Sequence, residues 1–239
     1  MCKFAPENER EMKIGIIVAM QDELACVESL LADKSEVAGR GNARFMIGNT
    51  GRHEILLTQC GIGKVCAAVR AYELIDRFSP DCVINTGVAG GIDLKTQVMD
   101  MVVGTEVVYH DVWCGKGNAY GQVQGYPARF VSDRSLVNKV LQANAGERVY
   151  GGLICSGDRF ITDRTELERI KSQFPEGMAV DMESGSIAQV CHMCGVPFIS
   201  MRIISDTPGV EGHWEQYTDF WKAAPQQSFA ILRNTIENL

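Results

Sequence analysis

Ile14-Gly15-Ile16-Ile17-Val18-Ala19, directly after Lys13, is a continuous apolar run of strand length, the pattern expected of a β-strand covered on both faces. Gln21 to Leu31 then reads as a helix. Residues 43 to 48 and 54 to 59 read as strands, the second feeding Gly61-Ile62-Gly63-Lys64. Val65, Ala68, Tyr72 and Ile75 follow at helical spacing, so this is a glycine turn entering a helix. Asp81 to Asn85 is a short buried strand ending in Thr86-Gly87-Val88-Ala89-Gly90-Gly91. Met99 to Tyr109 is a long strand, and residues 110 to 130 are irregular and rich in glycine and aromatics. Strand Val149 to Cys155, helix Asp163 to Gln173 and strand Met178 to Met182 come next. Helix Glu183 to Cys194 follows, with Ile187, Val190, Cys191 and Cys194 on one face. Strand Phe198 to Ser205 leads through a turn at Thr207-Pro208-Gly209 to a C-terminal helix from about Thr218.

Strands alternating with helices predict an α/β fold, a single domain with a mixed central sheet flanked by helices on both sides. No repeat, low-complexity tract or Pro/Ser-rich linker divides the chain; residues 1–12 read as a polar N-terminal extension and 13–239 as the domain. The 239 residues are 46% hydrophobic and 22% charged, which fits a folded chain and argues against intrinsic disorder. A formal net charge of −7 repels nucleic-acid phosphates, so no nucleic acid is expected as a partner. No apolar run approaches the roughly 18 to 20 residues that span a bilayer, and the charged start lacks a signal peptide's apolar segment. The expectation is a cytoplasmic protein with no membrane partner.

Nine cysteines are scattered through apolar segments, an odd count that suggests reduced, buried thiols. Cys191-His192-Met193-Cys194 has CxxC spacing but no second ligand pair, so helix packing is favoured and no metal is expected.

In wound sheets, ligands bind beyond the carboxyl ends of the strands. Three carboxylates fall there: Glu23, Glu183 and Asp206. Asp206 follows Ile203-Ile204-Ser205 and Glu183 follows Ala179-Val180-Asp181-Met182. Such apolar flanks desolvate a carboxyl group and raise its pKa, as an acid that donates a proton near neutrality requires. Either acid alone also fits a helix cap or a carboxylate favoured by the helix dipole. Gly61-Ile62-Gly63-Lys64 lacks P-loop spacing and no GxGxxG follows the first strand, which argues against nucleoside triphosphates and dinucleotides; no cofactor is expected. Gly61 to Lys64 and Gly87 to Gly91 remain as close-packing turns or as amide donors to a polar ligand.

Seven ordered motifs, running from Met12 almost to the C-terminus, resemble the bacterial 5′-methylthioadenosine/S-adenosylhomocysteine nucleosidases of the purine nucleoside phosphorylase superfamily. They are Lys13 to Ile17 with Ala19-Met20 and Glu23; Gly61 to Val65; Ile84-Asn85-Thr86-Gly87 with Ala89-Gly90-Gly91; and Tyr109-His110-Asp111. Ser156-Gly157-Asp158 with Phe160-Ile161, Ala179 to Glu183, and Arg202 with Ile204-Ser205-Asp206 complete the set. The resemblance implies a three-layer nucleoside phosphorylase-like sandwich working as a homodimer. It implies cleavage of the N-glycosidic bond to release adenine, in methionine salvage and S-adenosylhomocysteine removal, with 5′-deoxyadenosine as a further substrate. By that likeness Asp206 protonates N7 of adenine, Glu23 deprotonates the attacking water and Glu183 holds the ribose hydroxyls. An oxocarbenium-like transition state needs such an acid, base and stabilising charge. Phe160 would stack on adenine, the Ile161 backbone read its edge, Met182 pack on the ribose and Ser205 orient Asp206. Met20, Val88, Ala89 and Gly90 would complete the substrate contacts.

Two features depart from the family pattern. Val88 stands where serine is usual, and residues 112 to 128, which in the family cover the 5′-alkylthio group, read differently here. The family's pocket is closed by the neighbouring chain, so residues 110–130 are expected near the partner's pocket. The rival readings are a phosphate-dependent purine nucleoside phosphorylase, a 6-amino-6-deoxyfutalosine hydrolase and a non-catalytic nucleoside sensor. A phosphorylase needs cationic and hydroxyl groups about the anion, whereas this chain has Met20-Gln21-Asp22-Glu23 after the first strand, and Asn85 and Val88 at the fourth.

Overall fold

A computed structural model of the chain describes residues 11–223 and 225–239. The expected extension at 1–12 lies almost wholly outside the described residues. The opening apolar run forms β1 (Lys13–Val18), whose side chains Ile14, Ile16, Ile17 and Val18 are all fully occluded. It is followed by α1 (Gln21–Glu28), β2 (Ala32–Ala38), β3 (Arg44–Thr50), β4 (His53–Gln59), α2 (Lys64–Phe78), β5 (Cys82–Gly91) and β6 (Met101–Tyr109). Then come β7 (Phe130–Val131), α3 (Arg134–Ala143), β8 (Val149–Ser156), α4 (Arg164–Gln173), β9 (Gly177–Asp181) and α5 (Ser184–Cys194). β10 (Phe198–Asp206), α6 (His213–Ala223) and α7 (Pro225–Glu237) end the chain.

All the described strands join one mixed sheet in the order β10-β6-β8-β9-β5-β1-β4-β3-β2, with β7 on β6. β1 runs parallel to β4 and β5, and β5 parallel to β10, so the carboxyl ends of β1, β5 and β10 share one side. The sheet also closes on itself. β5 pairs with β10 along Val83 to Gly90, and its last residues, Gly90 and Gly91, turn to pair with β9, completing a ring β5-β10-β6-β8-β9. Helices pack against both faces, and apolar clusters fill the two interfaces, one around Phe45, Leu74 and Ile187, the other around Ile16, Val140 and Phe229.

Several sequence expectations are corrected. Thr86 to Gly91 is not a loop but the second half of a ten-residue strand. The first helix stops at Glu28, and Ala32–Ala38, rich in charge, forms an edge strand whose polar composition hides it. α3 is an amphipathic helix capped by Asp133, whose side chain accepts from the Leu136 N–H at 2.9 Å. The C-terminal helix is two helices, beginning at His213 rather than Thr218.

In α2 the buried stripe is Ala67, Ala71 and Leu74, because Gly15 on β1 lets Leu74 pack against the strand backbone. Val65 and Tyr72, expected inside, are 75% and 54% exposed. The thiols are not uniformly buried either: Cys60, Cys82, Cys155 and Cys191 are, whereas Cys66, Cys114 and Cys194 are exposed. Cys194 therefore leaves the packed face of α5 that Ile187 and Cys191 form. No helix among the described residues is long and apolar enough to cross a membrane.

Candidate active site

A cleft opens where β1, β5, β9 and β10 end. Its wall contains Met20, Glu23, Val88, Ala89, Gly90, Phe160, Ile161, Met182, Glu183, Ser205 and Asp206. Every site residue singled out in the sequence is thus brought to one cavity, although the carriers are spread over some 180 positions of the chain.

Glu23 occupies the first turn of α1 and folds back over the helix start. Oε2 accepts from the N–H groups of Ala19 and Met20, both at 2.9 Å, and Oε1 accepts from the Val88 N–H at 2.9 Å. The capping role and the cleft position are therefore one arrangement rather than alternatives. Burial raises its pKa, while Arg202 and the three amides oppose that rise. The approach of β5 is what permits it: a Cβ at Gly87 would overlap Glu23 Oε1 and lie 2.8 Å from Arg202 Nη1.

Glu183 takes the N-cap position of α5 but makes no capping bond. Its Oε1 accepts instead from the Gly63 N–H, 3.0 Å away at the start of α2. Burial pushes its pKa up to about 7, with Arg202 pulling down and Asp181 pushing further up. Capping of α5 falls to Asp181, which accepts from the Ser184 N–H at 3.3 Å.

Asp206, 2% exposed at the end of β10, has Oδ1 bound by the Ser205 hydroxyl at 2.7 Å. Burial raises its pKa, and the Ser205 hydrogen bond and His213 partly offset this. Three carboxyl groups thus share one desolvated cleft, each shifted toward its neutral form.

Beneath them lies Arg202, fully buried in the middle of β10. Its Nε sits 2.8 Å from Asp181 Oδ2, Nη2 is 3.6 Å from Glu183 Oε2 and also donates to Asn85 Oδ1, and Nη1 reaches the Val88 carbonyl at 3.4 Å. The sequence reading quoted Arg202 without giving it a role, yet a lone cation inside Phe198–Asp206, an otherwise uncharged run up to its last residue, must find buried anions.

Other wall residues escaped the sequence reading: Ile62, Arg159, Asp181, Pro208 and Tyr217. Tyr217 belongs to an aromatic group in which its ring lies 5.8 Å from Phe160 and 5.6 Å from Trp214. The spacing Trp214, Tyr217, Trp221 is a helical stripe that would have revealed it. Among the described residues no cluster of three or more His, Cys, Asp or Glu side chains is arranged to hold a metal ion.

Residues 13–237 match the family model of the phosphorylase superfamily. The chain is 44% identical over 225 residues to the 5′-methylthioadenosine/S-adenosylhomocysteine nucleosidase of Geobacillus thermodenitrificans, covering 92% of this chain and 94% of that one. Among solved structures it superposes with a TM-score of 0.91 on the Streptococcus pyogenes S-adenosylhomocysteine nucleosidase in complex with 5-methylthiotubericidin, at 36% identity over 96% of this chain and 98% of that one. For the Colwellia psychrerythraea 5′-methylthioadenosine/S-adenosylhomocysteine nucleosidase in complex with adenine the TM-score is 0.90 at 35% identity, with 96% of each chain covered.

Proposed function

The chain belongs to the 5′-methylthioadenosine/S-adenosylhomocysteine nucleosidases of the phosphorylase superfamily, and from that premise we propose how its own residues act. It is an N-glycosyl hydrolase that releases adenine from 5′-methylthioadenosine and S-adenosylhomocysteine. Asp206, its pKa raised by burial, donates its proton to N7 of adenine so that the base leaves uncharged. Glu23, oriented by the amides of Ala19, Met20 and Val88, takes a proton from the attacking water. Glu183 accepts the ribose hydroxyls and sets negative charge beside the sugar as it becomes cationic. Phe160 stacks on the base with the Ile161 backbone at its edge, Met182 packs on the ribose, and Ser205 fixes the Asp206 carboxyl. Met20, Val88, Ala89 and Gly90 form the remaining wall.

The observation that carries this reading is the convergence of Glu23, Glu183 and Asp206 on one cleft. With Asp181 also in the wall, the cleft disfavours a phosphate nucleophile. The test is adenine release from 5′-methylthioadenosine, S-adenosylhomocysteine, 6-amino-6-deoxyfutalosine and adenosine, with and without phosphate. Phosphate-independent release from the first two is expected; a requirement for phosphate would overturn the water mechanism.

The working unit is a homodimer. What supports this is an apolar surface on the adjoining faces of α2 and α5, where Val65, Val69, Tyr72 and Met193 are 75%, 60%, 54% and 61% exposed. Ile62, 56% exposed, lines the cleft, and by the family resemblance residues 110–130 would lie near the partner's pocket. Sedimentation should give a dimer that Val69→Asp dissociates. The free thiols suit a reducing compartment, the cytoplasm.

A further inference from the structure

A second charged cluster lies beside the cleft and takes no part in the chemistry above. β6 and β8 run parallel and end together, Tyr109 opposite Ser156, so the residues just beyond them, Asp111 and Asp158, are brought face to face. Asp111 Oδ2 accepts from the Asp158 N–H at 2.9 Å, and its Oδ1 lies 2.8 Å from Lys64 Nζ. Asp158 Oδ1 in turn accepts from the Lys64 N–H at 2.7 Å. The Lys64 ammonium also sits 5.1 Å above the Tyr109 ring. The Lys64 and Asp111 side chains are about one-fifth exposed, so their pairing is partly shielded from solvent.

The cluster bears directly on two parts of the site. Lys64 opens α2, and the residue before it, Gly63, gives its N–H to Glu183. Successive amides of one helix start are thus shared between Asp158 and Glu183. The turn is close-fitting: Gly63 has φ +91, and a Cβ there would lie 2.9 Å from Asp158 Oδ1. On the other side, Asp158 is two residues before Phe160, so whatever fixes Asp158 also fixes the loop that bears Phe160 and Ile161. Among the described residues, Asp111 is the side chain that bonds both the Lys64 ammonium and the Asp158 backbone.

We propose that Asp111 is a positioning residue: by pinning Lys64 and Asp158 together it holds the turn at 61–64 against Glu183 and sets the loop at 158–161 that carries Phe160. The inference deepens the reading above and rests on Glu183 and Phe160 being substrate contacts. Without Asp111, Lys64 and Asp158 are tied to each other only by the Lys64 N–H to the Asp158 carboxylate, and the Gly63 amide loses part of what aims it at Glu183.

The experiment uses the full chain with Asp111→Ala, Asp111→Asn and Asp111→Glu, each alone and combined with Glu183→Gln. Amide exchange at 61–64 and 157–161 should quicken at least tenfold in Asp111→Ala while the core strands stay protected. For 5′-methylthioadenosine, kcat/KM should fall roughly ten- to a hundredfold, through both a lower kcat and a higher KM, and Asp111→Glu should recover part of the loss. In the Glu183→Gln background most of the kcat penalty of Asp111→Ala should disappear, because the group it positions is gone. If Asp111→Ala does not fold, Asp111→Asn, which keeps an oxygen for the Asp158 N–H but loses the charge facing Lys64, gives the same readouts at smaller amplitude. Unchanged exchange, a kcat/KM within twofold of wild type, or a kcat penalty undiminished in the Glu183→Gln background overturns the proposal. Absence of adenine release by the wild-type enzyme would refute the functional reading instead, and the exchange measurement would then decide the positioning inference alone.

Discussion

On one side of the cleft, Glu23, Asp181 and Glu183 surround Arg202 and draw on the amides of Ala19, Met20, Gly63, Val88 and Ser184. On the other, Asp206 ends its strand with one hydroxyl from Ser205 and a distant His213. Burial raises the carboxyl pKa on both sides, but only the first is given a full positive charge and an array of N–H donors to oppose it. Similar side chains thereby meet different opposition to the same burial: a buried cation and several amides on one side, little more than a hydroxyl on the other. The division depends on which backbone ends reach the cleft, not on the acids themselves.

Breaking the division at the proton should have the largest effect. Asp206→Asn preserves shape and removes the transferable proton, so kcat for adenine release should fall about 10²- to 10⁴-fold while nucleoside binding, followed by calorimetry, persists. The wild-type rate should also decline as pH rises through the raised pKa of Asp206, and rates across a pH series should show that limb missing in the variant. Glu23→Gln should cost a comparable factor but remove the opposite, acidic limb.

Breaking the division at the cation comes next. Arg202→Met strands carboxylates in a dry interior and should destabilise the fold by about 3–5 kcal/mol, read as a lower denaturant midpoint. Arg202→Lys, which keeps the charge but cannot reach Asp181, Glu183 and Asn85 at once, should lose less stability but still lose activity.

The smallest effect sharpens the comparison instead of breaking it. Glu183 has a folded pKa of about 7 against 4.5 for the free side chain. A carboxyl group raised in this way stabilises the fold fully below its unfolded value and gives that contribution up as pH climbs through the folded one. Glu183→Gln has no proton to lose there. Its melting temperature relative to wild type should therefore climb by a few degrees between pH 4.5 and 7 and level off above. A difference that stays flat across that range would show that Glu183 does not titrate there.

Much of this was legible in the chain. Runs such as Ile14 to Val18, and the largely apolar Phe198 to Ser205, identify interior strands because burial on both faces leaves few polar positions to confuse the pattern. The acids at their ends announced themselves by apolar flanks. What escaped was set by tertiary contact. The ring closure through Gly90 and Gly91 comes from strand pairing that no local pattern encodes. The outward face of α2 was misjudged because its small residues, Ala67 and Ala71, suit close packing better than the bulkier Val65 and Tyr72. Tyr217 was missed because an irregular turn after Asp206 hides where α6 begins, and the partners of Arg202 lie on β5 and β9, far away in sequence.

That ring has a consequence beyond the cleft. A sheet that closes at one end has used up its hydrogen-bonding groups there, so among the described strands β2 is left as the long unmatched border, paired only with β3. Its Asp33, Lys34 and Glu36 are solvent-facing, and charges on a bare strand discourage another chain from adding to it. The protein is thereby guarded against fibre growth along that strand.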